Sequence, residues 1–518
     1  MSWLPVGNLF CEDSSKQLPD EMLVADMIVP PEIGGLPLHW AAVRGKKAAV
    51  EVLLAAAPQS AMTPDNDGEL PLHWAAERGH TAVIEALLTA APQSATTANI
   101  DGALPLHKAA FNGHTAAVKV LLAVAPLCAL SADNDGDLPL HWAAECGHTA
   151  AIETLLAAAP QTAATANRSG TLPLHCAAVN GHTAAIEGLL AAAPQGAVTA
   201  NNVGSLPLHW AAGRGHTAAI EALLAAAPQG VVAADSDGAL PLHWAAEFGH
   251  TEAIKSLLAA APHTAMAANR RRGSLPLHRA AGSGHTAAVE ALLAAAPQGA
   301  VTANNDGALP LHFAAECGHT AVIAALLVAA PQAVVTGNGD GALPLHCAAV
   351  NGHTAAIDAL LAAAPQGAMT ANNVGSLPLH WAAECGHTAA IEMLLVAAPQ
   401  SAMTANDDGD LPLHWAAKDG HTAAIEALLA AAPQTAMTAD NDGELPLHCA
   451  SGNGHTAAIE ALLAAAPQGV VAADSDGALP LHWAAEFGHT GAIKSLLAAA
   501  PHTAMALFVD VLDLCFHH

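Results

Sequence analysis

A chain of 518 residues with 45 Asp plus Glu against 16 Lys plus Arg carries a formal charge of −29, which excludes a phosphate-binding surface, because affinity for nucleic acid comes mainly from neutralising phosphates with cationic side chains. Hydrophobic residues make up 53%, largely alanine, while aromatics supply 3% and tyrosine is absent, a composition suited to close helix packing and not to one bulky core. Length alone suggests several globular domains, yet the texture is uniform after the first stretch of roughly thirty residues, the mark of an array.

At the start, MSWLPVGNLFCEDSSKQ has no basic residues ahead of an apolar run, so no secretory signal is expected. Further along, Pro, Gln, His or Glu interrupts the apolar stretches well short of the ~20 residues that span a bilayer, so membrane insertion is not expected either. Asp20 to Val29, closed by Pro30-Pro31, reads as a degenerate helix, and residues 1–33 are expected to cap the array at its N-terminal end. From residue 34 the tetrapeptide Leu-Pro-Leu-His recurs fourteen times, with histidines at 39, 73, 107, 141, 175, 209, 243, 278, 312, 346, 380, 414, 448 and 482. Every interval is 34 residues except 243 to 278, which is 35, and the extra residue falls at Arg270 to Arg272, where a hairpin tip absorbs it.

The unit from Asp135 to Gln161 shows the local logic. Asp135-Gly136 is turn chemistry. Pro139 fits the first turn of a short helix in which Leu140, Ala143 and Ala144 take helical spacing, and Gly147 stops it. Thr149 is placed to cap a second helix with Ile152, Leu155 and Leu156 on its apolar stripe, and Pro160 ends that helix. The fold class is therefore all-α: helix-turn-helix units joined by β-turn or hairpin loops. No unit can bury its apolar stripe alone, so stability comes from stacking against neighbours. The array is expected to run to residue 506. As a helix, the tail 507–518 (LFVDVLDLCFHH) puts Phe508, Val511, Leu512 and Cys515 on one face and Asp510 and Asp513 opposite, so it can seal the last repeat.

Leu-Pro-Leu-His-Trp-Ala-Ala, two variable residues, then Gly-His-Thr-Ala-Ala-Ile-Glu and Leu-Leu together resemble the ankyrin-repeat family, with its Thr-Pro-Leu-His, Ala-Ala, Gly-His and Leu-Leu. Two departures stand out. Leucine replaces the family's threonine before the proline, as at Leu36, Leu104 and Leu343, which removes the expected side-chain cap of the first helix and its bond to the histidine. Losing such a cap costs ~0.5–2 kcal/mol. Ala-Ala-Pro-Gln, as in Ala158 to Gln161, replaces the usual glycine-containing turn and lengthens the unit by one residue. Residues 215–267 and 454–506 are identical except for Glu252 against Gly491, which points to a recent duplication of a seven-repeat block.

Candidate chemistry is sparse. Most of the 31 histidines lie on two ladders, after Leu-Pro-Leu and in Gly-His-Thr, seven residues apart across a helix break. That spacing is unlike the i, i+4 pair of a zinc helix, so structural histidines are expected. Nine cysteines never form CxxC; Cys176, Cys347 and Cys449 share one repeat position, and Cys146, Cys317 and Cys385 another. Neither zinc nor disulfides are implied, and a reducing, intracellular and cytoplasmic setting is expected, the nucleus being the other compartment open to such a chain. Acid pairs such as Asp65 with Asp67 and Asp440 with Asp442 fit turns better than calcium loops, which need six to eight oxygen ligands. Tryptophans after the histidine at 40, 74, 142, 210, 244, 381, 415 and 483 fit packing between repeats better than a stacking platform. No catalytic residue, cofactor or metal ligand is expected.

The resemblance does imply a binding face. In ankyrin arrays the two variable residues before Gly-His line a concave groove, which carries that role onto Glu77 and Arg78, Phe111 and Asn112, Glu145 and Cys146, Glu247 and Phe248, Glu316, Glu384, Lys418 and Asp419, and Glu486 and Phe487. The expected function is a non-catalytic protein-interaction scaffold. Its partner would be a protein with a basic or neutral surface, steered by an acidic groove edge. A targeting or regulatory subunit of a separate enzyme, and an expanded array with no dedicated ligand, are the alternatives. The sequence leaves the number of copies open.

Overall fold

The computed structural model describes residues 36–500; the capping helix expected over Asp20 to Val29 and the tail 507–518 lie outside them. Twenty-eight α-helices, α1 (Pro37–Val43) to α28 (Thr490–Ala499), fill this span, with no strand among the described residues. Odd-numbered inner helices alternate with even-numbered outer ones, two per repeat. The chain divides into two compact units, Met1–Ala245 with Glu252–Thr264, and Ala246–Thr251 with Ala265–His518. From Pro37 to Ala226 in the first unit and from Pro276 to Ala499 in the second, each inner helix packs on the next inner helix and each outer helix on the next outer one.

The inner helix α7 (Pro139–Glu145) shows how a leucine stands in for a capping residue. Leu138 has no acceptor in its side chain, and none caps the helix. Its backbone N–H instead donates to Nδ1 of His141 at 3.0 Å, while the N–H of His141 donates to the Leu138 carbonyl at 2.9 Å. The histidine thus does from the third helical position what a glutamate does in a capping box. The threonine bond to the helix is lost, but the histidine stays engaged. At the other end Gly147 takes φ +72°, and the N–H groups of Gly147 and His148 return to the carbonyls of Ala144 and Ala143 at 3.3 and 3.0 Å, closing a Schellman motif.

Two local expectations are corrected in the outer half of the repeat. In α8 (Thr149–Ala158) the N-cap is His148, with no side-chain cap bond; Thr149 is the first helical residue and its hydroxyl reaches only the Gly147 carbonyl, at 3.4 Å. The Schellman turn sets the entry one residue earlier than threonine capping would require. After Ala158 the chain is not a simple turn: Pro160–Ala164 form a 3₁₀ helix, with the Thr162 hydroxyl donating to the Ala159 carbonyl at 2.6 Å. Proline presets φ for such a turn while barring continuation of the α-helix.

The core is a thin layer repeated along each unit. Ala143 and Ala144 between inner helices, and Ile152 and Leu155 on the outer helix, are buried. The alanines let inner helices approach closely, and larger side chains there would cost ~1–3 kcal/mol in overpacking.

Two histidine ladders link the repeats in opposite directions. The Leu-Pro-Leu-His histidine reaches forward: Nε2–H of His73 donates to the Ala103 carbonyl at 3.1 Å, that of His107 to Asp137 at 3.0 Å and that of His346 to Ser376 at 3.1 Å. The Gly-His-Thr histidine reaches back, His114 to the Glu77 carbonyl at 2.9 Å and His353 to Glu316 at 2.9 Å. Its ring also lies where a Cβ on the preceding repeat's glycine would be, as His114 does for Gly79, so that glycine is required twice, by its positive φ and by this contact. Lys46 occupies the corresponding position in the first repeat, where the acceptor 37 residues earlier would lie outside the described residues.

A third link ties the turn to the inner helix. Oδ1 of Asp65 accepts the N–H groups of Asp67 and Glu69 at 3.1 and 2.8 Å, and Oδ2 accepts the indole N–H of Trp74 at 2.8 Å. Asp133 with Trp142, Asp235 with Trp244 and Asp474 with Trp483 repeat this arrangement, each at 2.9 Å. Asparagine at the same turn position keeps the Oδ1 bonds but turns an NH₂ toward the helix. Accordingly the indole N–H groups of Trp210 and Trp381, opposite Asn201 and Asn372, have no partner, and Trp415, opposite Asn406, uses Asp410 at 3.3 Å instead. The indoles also meet across repeats edge-to-face, Trp210 with Trp244 at 5.1 Å and Trp381 with Trp415 at 5.5 Å. The acid at the head of the turn is therefore a structural acceptor, and the tryptophan row packs between repeats.

Burial lowers the Leu-Pro-Leu-His histidines from 6.5 to about 4 at His73, His107, His175, His278, His312, His346 and His380. A histidine depressed on folding contributes stability that is complete above its unfolded value and is lost as pH falls toward the folded one. Urea midpoints are expected to stay level from pH 8 to 7 and to fall steeply between pH 6.5 and about 4, read by far-ultraviolet circular dichroism. Asn201→Asp is expected to raise stability by ~1–3 kcal/mol, the worth of a bond to a charged acceptor, and Asp65→Asn to lower it similarly; urea unfolding of the two variants at pH 7.5 measures both.

Candidate interaction face

The variable pairs sit at the C-terminal end of each inner helix, where the Schellman turn separates their directions. The first residue of the pair is the last helical residue and turns toward the inner helix of the next repeat. Glu247 shows this most plainly: its Oε2 accepts from Nη1 of Arg279 at 2.7 Å. Phe111 meets the Trp142 ring at 5.6 Å. Glu77 faces Lys108, Glu145 faces Cys176 and Glu316 faces Cys347. Where the neighbouring residue is a cation, Lys108 or Arg279, the earlier repeat supplies a glutamate. Lys108 is held further by Oε1 of buried Glu69 at 2.8 Å.

The second residue of the pair turns outward, exposed in most repeats and half-buried at Cys146 and Cys385. Arg78, Asn112, Phe248, Cys317, Asp419 and Phe487 are exposed, the two phenylalanines by 52% and 56%. Asn112 also donates from Nδ2 to the Lys108 carbonyl at 3.0 Å, finishing its helix. Arg44 and Arg214, which the repeat pattern alone did not single out, are exposed at the same position in the first unit; the register that marks Arg78 marks them equally. The exposed charges of this row are thus Arg44, Arg78 and Arg214 in the first unit. In the second, Asp419 sits on it with Glu316, Lys418 and Glu486 exposed beside it, and Glu145 and Glu384 are half-buried in their respective units.

Burial raises the carboxyl groups of Glu77, Glu145 and Glu384 above the ordinary range. The half-buried thiols at the tryptophan position are also raised, Cys347 to about 12 and Cys176 and Cys449 strongly, so they are protonated packing groups and not nucleophiles. In the second unit Glu444 is pushed up to about 7 by burial and then by Asp440, Asp474, Asp442 and Asp410. No cluster able to hold a metal ion occurs among the described residues, and no described helix is long and apolar enough to cross a membrane. A carboxyl raised on folding destabilises the fold when ionised and regains stability as pH falls through its folded value. Glu444→Gln is therefore expected to raise the urea midpoint at pH 8.5 and to leave it unchanged at a pH well below the unfolded value of 4.5.

The family description "Ankyrin repeats (3 copies)" matches residues 21–97, 91–164, 106–202, 174–266, 242–336, 328–407, 346–435, 396–470 and 413–505. No curated protein matches the chain. The matched segments tile the helix pairs from the first to the last, with the Schellman glycine and both histidine ladders recurring along them, and the chain belongs to the ankyrin-repeat family.

Proposed function

We propose that this chain is a non-catalytic, intracellular scaffold that binds another protein along the row of inner-helix C-termini. One observation carries the reading: chemical variety is concentrated in an exposed row, Arg, Asn, Phe, Cys, Asp and Ser by turns, on a framework whose own polar groups are largely consumed in holding repeats together. Ankyrin repeats are in general protein-interaction modules, which supports the same reading. The acidic part of the face belongs to the second unit, where Glu316, Asp419 and Glu486 are exposed and favour a basic segment of the partner. Glu77 and Glu247, facing Lys108 and Arg279, act in the stack instead.

The identity of residues 215–267 with 454–506 apart from one position favours a second reading, an array expanded by duplication with no dedicated ligand. Affinity capture from the native cell followed by charge reversal separates the two. Glu316→Lys with Asp419→Lys and Glu486→Lys is expected to weaken a captured partner about tenfold or more, mainly through its association rate, and to flatten the salt dependence. Unchanged affinity for every captured protein rules out the acidic face, and capture of none supports the expanded array. Glu247→Lys is expected to destabilise the stack, by placing two cations together, without altering affinity for that partner.

A further inference from the structure

In the second unit, α27 (Pro480–Glu486) and α28 (Thr490–Ala499) are the last described helix pair, and their far side keeps the apolar pattern of a repeat that has a neighbour. Leu479, Ile493 and Leu497 are half-buried there, whereas their counterparts one repeat earlier, Leu445, Ile459 and Leu463, are buried. A second observation marks the same side. His482 Nδ1 accepts the Leu479 N–H at 2.8 Å, but its buried Nε2 has no partner among the described residues. In twelve other repeats that atom donates to the carbonyl 30 residues further along the chain. For His482 that position is Leu512, within the eighteen residues after Ala500.

We propose that the far side of α27 and α28 is a docking surface for the chain's own residues 507–515, wound as a short helix that lays Phe508, Val511, Leu512 and Cys515 over Leu479, Ile493 and Leu497. A helix ending at Cys515 leaves the carbonyls of its last four residues, Leu512 among them, without intrahelical donors, and one of these takes the Nε2–H of His482. Asp510 and Asp513 face solvent. The docked tail replaces a fifteenth repeat and closes the stack. Left uncovered, this end would present an apolar surface to a second copy in a contact that does not close on itself.

Hydrogen exchange read by mass spectrometry on the full chain tests this. Val511→Asp with Leu512→Asp is expected to speed exchange of the α27 and α28 amides about tenfold or more, the effect of uncovering buried apolar side chains, while the first unit is unchanged. Asp510→Ser with Asp513→Ser is expected to leave the whole pattern as it is. Unaltered exchange in the Val511 and Leu512 variant overturns the proposal. So does protection of α27 and α28 that disappears on dilution of the unsubstituted chain, because a second copy would then be the cover.

Discussion

At His141, and in the same way along most of the array, the Leu-Pro-Leu-His imidazole has one nitrogen in its own repeat and the other in the next. A backbone N–H can only donate and a carbonyl can only accept. With the Leu138 N–H on Nδ1 of His141 and the Thr171 carbonyl at Nε2, the ring is therefore neutral and its proton is fixed on Nε2. The same bond set caps the inner helix and registers the following turn. A protonated ring would lose the cap and place a charge in a buried layer, which is why burial lowers this group, and takes it to about 4 at His73 and His175. At His73 it also explains why the Glu69 carboxylate, 3.8 Å from Nδ1, makes no ion pair: that nitrogen already accepts the Leu70 N–H.

Because the core is only one layer thick between adjacent helices, the stack has no centre and its stability is a chain of nearest-neighbour terms. The backward histidine and the Glu247–Arg279 pair each add to one such interface, and the Asp–Trp tether holds the turn to its own helix. They also consume most polar groups that might have served a ligand. The second residue of most variable pairs, just before the left-handed glycine, is exposed instead. The exposed charges differ between the two units, Arg44, Arg78 and Arg214 on this row in one, and Asp419 on it with Glu316, Lys418 and Glu486 beside it in the other, so a single electrostatic description of the face does not apply to the whole chain.

Duplication and tethering interact in the tryptophan row. Four tryptophans pair with aspartate at the head of the turn, while Trp210 and Trp381 face asparagine and leave the indole N–H unmet. Asparagine serves a different bond elsewhere: Nδ2 of Asn167 donates to Asp137 of the preceding repeat at 2.8 Å. The two residues are thus alternative solutions at one position, one tying the turn to its own helix and the other to its neighbour.

The sequence by itself determined the features that depend on near neighbours in the chain: the 34-residue period, the all-α class, the inner helix from Pro139 to its stop at Gly147, the single inserted residue at Arg270 to Arg272, and membership in the ankyrin family. Short-range backbone preferences and the spacing of apolar residues are sufficient for all of these but the family, which rested on the resemblance of the Leu-Pro-Leu-His, Gly-His-Thr and Leu-Leu motifs. It misplaced Thr149 as a cap and did not foresee the 3₁₀ helix from Pro160, because the first depends on how the chain leaves the Schellman motif at Gly147 and the second on how it continues past Ala159 at the end of the outer helix. The tertiary structure alone decided which carbonyl each histidine reaches, that the acid at the head of the turn holds an indole, and that Glu247 belongs to Arg279 while Phe248 belongs to solvent. Those partners lie from 9 to 37 residues apart: the nearest meet when the turn folds onto its own inner helix, and the rest only when one repeat stacks on the next.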